Sequence, residues 1–519
     1  MAKKFICSQT GPIVQTKAGK LRGLKLDSTY IFQGIKYADA KRFQMPQPVK
    51  PWEGVKDALS YGYVCPLMTQ EVPNGETLVP HRYWLMDENC QYLNIWTQTL
   101  DKDAKKPVMV WLHGGGFYAG SSIEQVSYDG ENMSKYGDVV VVSLNHRLNV
   151  LGYMNLEDYG EKYKNSANAG NADMVAALKW VHENIAAFGG DPENVTIFGQ
   201  SGGGMKVWTL MQTPEADGLF QKGIIQSGVM DEFMDTPKTD GRPIVEAMLK
   251  ELGFEAGDVE KLETVPYPAL AAAYQKVGPK LAEAGEYVGG VPMANDFYVG
   301  DPREVGFTEH AKTIPVMIGT VFGEFAFGPG IESKYELPEK DVLEMLHDKY
   351  GEAADTLVPL YRKAYPDKAL TDLLFLDALF RNPTIDFVQK KAVHTQAPTY
   401  SYMFAFEFPY DNGKIAWHCS EIPFVFKNTD KVPVCNVPGV SDKLEDQMFG
   451  AWIAFARYGN PNVPSLPQWP ASTADDEAVM ILDRTCEVRH NYDHELIHAL
   501  IQANPQMPGD SSEDEVMLH

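Results

Sequence analysis

Short, unbroken apolar runs recur along the chain at Pro107–Leu112, Val139–Val142, Val195–Phe198, Gly223–Gln226 and Ile314–Gly319. Runs of this length, bounded by glycine or polar residues, are what strands covered on both faces show. Between the second and third, Met174, Ala177, Leu178, Val181, Ile185 and Phe188 recur at three- and four-residue steps, and Gly189-Gly190 closes the pattern. That period predicts an amphipathic helix over 171–188. Strand, helix and strand in alternation predict a parallel sheet flanked by helices, the α/β class.

The flanking regions follow other patterns. Ile13–Thr16 and Lys20–Leu26, parted by Ala18-Gly19, predict a hairpin; Pro46, Pro48 and Pro51 impose an extended loop. The segment from Cys65 to Cys90 has no clear period and is expected to be a long loop, a candidate lid. Helical pieces at 242–252 and 267–284 predict a cap-like helical insertion over 229–313, inside one catalytic domain spanning 1–519. Strands resume at Thr399–Phe406 and Ala478–Asp483, with a helix at Lys443–Tyr458 between them, and the acidic tail 509–519 is expected to fray.

Composition narrows the function. Among 519 residues, 46 basic side chains face 70 acidic ones, a formal charge of -24. That balance opposes binding to nucleic acid or to anionic membranes. No apolar stretch approaches membrane-spanning length, and Met1–Cys7 lacks the apolar run of a signal peptide. A cytoplasmic protein is expected, or a secreted one if a leader was removed. Six cysteines without a C-x-x-C pair give no metal cluster to expect.

The chemistry centres on Val195–Gly204, where a β-branched run ends in Gly199-Gln200-Ser201-Gly202-Gly203 and a helix can begin at Met205. G-x-S-x-G at a strand-to-helix corner holds a serine Oγ clear of the backbone and aims helix N–H groups at it. A hydroxyl is a poor nucleophile at neutral pH, so Ser201 needs a histidine base and an acid to orient it. His418 stands out among the later histidines because it lies among aromatics in a loop after a strand, and Glu324 lies in the loop after Ile314–Gly319. His113-Gly-Gly-Gly-Phe117 follows a buried strand, and its consecutive glycines can converge N–H groups on a developing oxyanion.

With these stretches stand Gly11–Thr16, Phe32–Ala38, Glu88–Asn94, Asn145–Leu148, Asn184–Pro192, Ile225–Gly228, His418–Phe426 and Phe455–Pro461. Together they resemble the type-B carboxylesterase family, which includes the cholinesterases, from about Pro12 to Asp483. The resemblance implies an α/β-hydrolase fold with a mostly parallel central sheet and a helical cap. It makes Ser201 the nucleophile, Glu324 the acid, His418 the base, and Gly115, Gly116 and Gly202 the oxyanion hole, with Ser227 in support. It also matches Cys65 and Cys90 to a family disulfide, expected to stay reduced in an unexported protein. Two positions depart from it: Gln200 stands where the family usually has Glu, and Gly202 where it has Ala. The cation site of cholinesterases is not recognisable, and Trp84 lies at a different distance from Cys90.

The reaction expected is hydrolysis of small to medium esters through an acyl-serine, with no cofactor or metal and a small-molecule ester as the only partner. Phe117, Phe322, Phe325, Phe327 and Trp417 are expected near the site, favouring an apolar or aryl group. Natural substrate and oligomeric state stay open. Two other readings compete. His494-Glu-Leu-Ile-His498 has zinc-protease spacing, but Ile501 and Asn504 stand where a third-ligand motif needs Gly and His, so a terminal amphipathic helix is expected instead. A catalytically silent binding protein on the same fold would typically lose the nucleophile, which this chain keeps.

Overall fold

The apolar runs form the middle of a twelve-stranded sheet. In the computed structural model, which describes residues 3–68, 79–231 and 240–503, its strands are β1 (Phe5–Ile6), β2 (Leu24–Leu26), β3 (Thr29–Lys36), β4 (Tyr92–Thr97), β5 (Lys106–Leu112), β6 (Val140–Leu144), β7 (Gly190–Gln200), β8 (Lys222–Gln226), β9 (Val316–Val321), β10 (Thr399–Phe404), β11 (Ala478–Leu482) and β12 (Glu487–His490). Their order is β1-β2-β3-β4-β6-β5-β7-β8-β9-β10-β11-β12. From β6 to β11 every neighbouring pair is parallel, whereas the pairs toward both edges are antiparallel. Parallel strands need helical crossovers, and these cover both faces of the centre, which is why β6, β8, β9, β10 and β11 are buried along their whole length.

The helices that matter for the site are α1 (Ala169–Asn184), α2 (Gly202–Met211), α3 (Arg242–Glu251), α4 (Tyr267–Glu283), α5 (Arg381–Ala392), α6 (Ser441–Tyr458) and α7 (His494–Ala503). The helix expected over 171–188 is α1, which tightens into a 3-10 turn at Ile185–Phe188 and stops at Gly189, whose φ of 78° is left-handed. Helices α3 and α4 lie between β8 and β9. The expected hairpin is present as Ile13–Gln15 against Lys20–Arg22, in a separate three-stranded sheet, and Leu24–Leu26 leaves it to join the large one. Part of the candidate lid and all of the tail 509–519 lie outside the described residues.

Beside the end of β7, Trp111 of β5 packs on Phe198 of β7 and on Phe426, each with ring centroids 5.0 Å apart. Removing such a buried ring typically costs about 3–5 kcal/mol. This cluster joins two central strands to the helical turn that follows the candidate base.

Candidate active site

Strand β7 ends at Gln200 and the chain reverses through Ser201, which has φ 57° and ψ -128°. An L-residue adopts that conformation only under constraint, at roughly 1–3 kcal/mol. The constraints are visible. Ser201 N–H donates to the Gln226 carbonyl at 2.8 Å, and the Ser201 carbonyl accepts from Met205 N–H at 3.0 Å. A Cβ on Gly199 would lie 2.5 Å from the Gly203 carbonyl, and one on Gly203 would lie 2.0 Å from that of Leu112. Only glycine fits on either side of this corner.

The same closeness sets the candidate oxyanion hole. Gly115 and Gly116 take left-handed φ values of 84° and 58°. Gly116 packs so tightly on the first residue of α2 that a Cβ on Gly202 would stand 2.4 Å from the Gly116 nitrogen and 2.3 Å from its oxygen. That contact is a physical reason for glycine at position 202. We therefore expect Gly202→Ala to push the loop away from the helix and lower kcat by about 10- to 100-fold with little change in KM, checked by steady-state kinetics on p-nitrophenyl butyrate.

Glu324, fully buried after β9, accepts from Val321 N–H through Oε1 at 2.9 Å and pairs through Oε2 with His418 Nδ1 at 2.6 Å. Their loops are also joined through the backbone: His418 N–H donates to the Glu324 carbonyl at 2.9 Å and Gly323 N–H to that of Ala416 at 3.1 Å. Lys414 adds a clamp, its ammonium donating to the Ala326 and Gly328 carbonyls. Two further buried carboxyl groups face Glu324. Burial and the Glu324 charge push Glu421 up to about 7 and hold Asp377 well above the usual range.

Phe380 lies against the His418 imidazole, with centroids 5.2 Å apart and planes 29° from parallel. Asp377 fixes it, accepting from the N–H groups of Leu379, Phe380 and Arg381 at 3.0–3.1 Å. Phe325 extends this aromatic wall, 6.0 Å from Phe380. Gln200 is buried beside His418, its Nε2 3.2 Å from His418 Nε2 and its Oε1 accepting from Cys419 Sγ at 3.1 Å. A neutral amide thus borders the imidazole. Ser227 is buried one residue past β8, with its N–H on the Gly319 carbonyl at 2.7 Å.

Three aromatics expected in the pocket go elsewhere. Phe117 packs on Tyr153, Phe322 on Tyr365 and Trp417 on Phe408, all sealed in the core. In each case another core aromatic, Tyr153, Tyr365 or Phe408, covers the ring. Phe380, which does touch His418, had no motif to mark it; only tertiary packing brings it there.

The chain has counterparts among known proteins. The Carboxylesterase family model matches residues 10–499. The chain belongs to the carboxylesterase family. It is 34% identical to the para-nitrobenzyl esterase of Bacillus subtilis, over 94% of this chain and 98% of that one. It is 32% identical to the phenmedipham hydrolase of Pseudarthrobacter oxydans, over 92% and 97%. Among solved structures, it matches an esterase from anaerobic Clostridium hathewayi, described as able to hydrolyse aliphatic aromatic polyesters, with a TM-score of 0.94 and 58% identity over 97% of this chain and 100% of that one. As a carboxylesterase of the α/β-hydrolase fold, the chain is a serine hydrolase acting on esters.

This assignment displaces the zinc-protease and silent-binding readings, and the structure gives the H-E-x-x-H residues other work. In this carboxylesterase His494 Nε2 pairs with Glu477 Oε2 at 2.7 Å, Glu495 pairs with Lys363 at 3.0 Å, and His498 is exposed. The apolar face of α7, with Leu496, Ile497 and Leu500, is buried as an amphipathic terminal helix requires. Cys65 and Cys90 are buried and unbridged, and burial first, then hydrogen bonding to Cys65, holds the Cys90 thiol well above its ordinary value. No helix among the described residues is long and apolar enough to cross a membrane.

Proposed function

We propose that Ser201, Glu324 and His418 form the catalytic triad of this carboxylesterase, that the N–H groups of Gly115, Gly116 and Gly202 form its oxyanion hole, and that it cleaves small to medium apolar or aryl esters. The observation that carries this reading is the buried Glu324 carboxylate on His418 Nδ1, which turns Nε2, the proton acceptor in this reading, toward Gln200, the neighbour of Ser201. His418 takes the Ser201 proton as Oγ attacks the ester carbonyl. The oxygen of the tetrahedral intermediate meets the three N–H groups, one such donor contributing about 3–4 kcal/mol. His418 then gives the proton to the leaving alcohol, and water repeats the cycle on the acyl-enzyme.

The aryl preference draws on Phe325 and Phe380 beside the base, and on relatives whose names include para-nitrobenzyl and aromatic polyester substrates. The neutral Gln200 offers no charge to a quaternary ammonium group, so choline esters are poor substrates in this reading. The helical stretch 229–313 is taken as a cap on a single domain.

Phenylmethylsulfonyl fluoride tests the assignment: intact mass should rise by one sulfonyl group, peptide mapping should place it on Ser201, and activity should fall in proportion. Activity on p-nitrophenyl esters should persist in EDTA. Labelling elsewhere with full loss of activity would reject Ser201 as the nucleophile.

A further inference from the structure

The hydrolytic steps above leave unused a buried cluster on the far side of the glycine loop. Helix α2 carries Lys206 one turn beyond Gly202, so both residues share one helix face. The Lys206 side chain is fully buried, with Nζ donating to the His113 carbonyl at 2.9 Å and lying 6.0 Å from the Phe117 ring centroid. His113 begins the loop that bears the glycines. The bond therefore runs from the helix that presents Gly202 N–H to the loop that presents Gly115 and Gly116 N–H.

Burying an ammonium is expensive unless it is compensated. The groups facing Lys206 are the Glu124 carboxyl, the Cys65 thiol and the His113 and His146 imidazoles. The two imidazoles stack with centroids 5.2 Å apart, and burial and the Lys206 charge hold both well below their ordinary values, hence neutral. Glu124 Oε1 comes 3.1 Å from where a Cβ on Gly120 would stand, beside His113 Nδ1 at 2.9 Å. On the other side of the contact, glycines bring α2 against the Leu112 and His113 carbonyls. Backbone contact and the lysine tether thus hold the loop together.

We propose that Lys206 is a positioning residue for the oxyanion hole: its ammonium ties His113 to α2 and keeps the Gly115 and Gly116 N–H groups aligned with that of Gly202. The proposal rests on Ser201 being the nucleophile. Burial pushes Lys206 down to about 7 and Glu124 up to about 7, which puts the loss of the ammonium near neutral pH. The ammonium is present below that value and is lost as pH rises through it. The alignment weakens in the same direction.

The test compares wild type with Lys206→Met, which keeps length and burial but lacks the donor. On p-nitrophenyl butyrate the variant should lose kcat by about 10- to 100-fold with KM within twofold, and should bind an aryl trifluoromethyl ketone, a tetrahedral analogue, more weakly by the same factor. Wild-type kcat should decline on the alkaline side, and the variant should lack that decline. Wild-type kcat and analogue affinity in the variant would overturn the proposal, as would a raised KM with unchanged analogue affinity. Should Lys206→Met not fold, Glu124→Gln removes the facing carboxylate and should move the alkaline decline to lower pH; an unmoved decline overturns the proposal. Ser201→Ala in the same assays separates the two readings. An inactive Ser201→Ala beside an unaffected Lys206→Met defeats only the tether, whereas an active Ser201→Ala defeats the nucleophile assignment.

Discussion

Ser201→Ala is expected to lower kcat/KM for p-nitrophenyl esters by about 10⁴- to 10⁶-fold while leaving the unfolding transition of the protein in place or raising it. Removing Oγ abolishes the covalent route, and the N–H groups of the glycine loop supply the small remainder. The stability part follows from the backbone. Ser201 sits at φ 57° because Gly199, Gly203 and the Gln226 carbonyl hold it there, and alanine meets the same constraints. Activity within tenfold of wild type would exclude an acyl-serine at this position. Loss of activity with a collapsed unfolding transition would make Ser201 structural instead.

The largest expected effect on stability is at Arg381. Its guanidinium donates to Glu477 at 2.7 and 2.9 Å and to Asp493 at 2.8 Å, and all three side chains have no solvent exposure. Ser401 and His494 add hydrogen bonds to Glu477 at 2.5 and 2.7 Å. Arg381→Met would strand two buried carboxylates, and breaking such a pair from one side costs about 3–5 kcal/mol. Urea denaturation at neutral pH should show that loss. Burial opposes ionisation of Glu477, but the Arg381 charge and the hydrogen bonds from His494, Arg381 and Ser401 hold it at about 2. Its contribution is therefore complete above the ordinary carboxylate value and is lost as pH falls through about 2. The gap between wild type and variant should narrow over that acid range. A gap that is the same at pH 7 and pH 3 would remove Glu477 from the account.

The central strands were legible because burial on both faces demands apolar residues at every position, as in Val108–Leu112 or Val140–Val142. Strands β3 and β4 were not, because they mix polar residues into the core. Asn94 of β4 shows how: it is buried, yet accepts from Gly34 N–H at 3.0 Å and donates to Ser143 Oγ at 3.2 Å. Edge strand β12 has four residues, none of them buried, too few to show a period. In the site, Ser201 and the glycine loop announced themselves because strained turns restrict residue type. Phe380, Asp377 and Lys206 did not, since nothing local distinguishes a phenylalanine beside an imidazole, or a lysine under a loop, from ordinary residues. Trp417 shows the converse: it adjoins His418 in sequence, yet its ring is buried against Phe408.

The backbone bonds between the Glu324 and His418 loops have a consequence for how this chain can vary. The two side chains are 94 residues apart in sequence, yet their separation is fixed by main-chain atoms that every substitution leaves in place. Length changes in the surface turns between β9 and the His418 loop should therefore be buffered before they reach the Glu324–His418 pair. Those surface turns are natural places to graft new surface features, or to trim old ones, without moving Glu324 relative to His418.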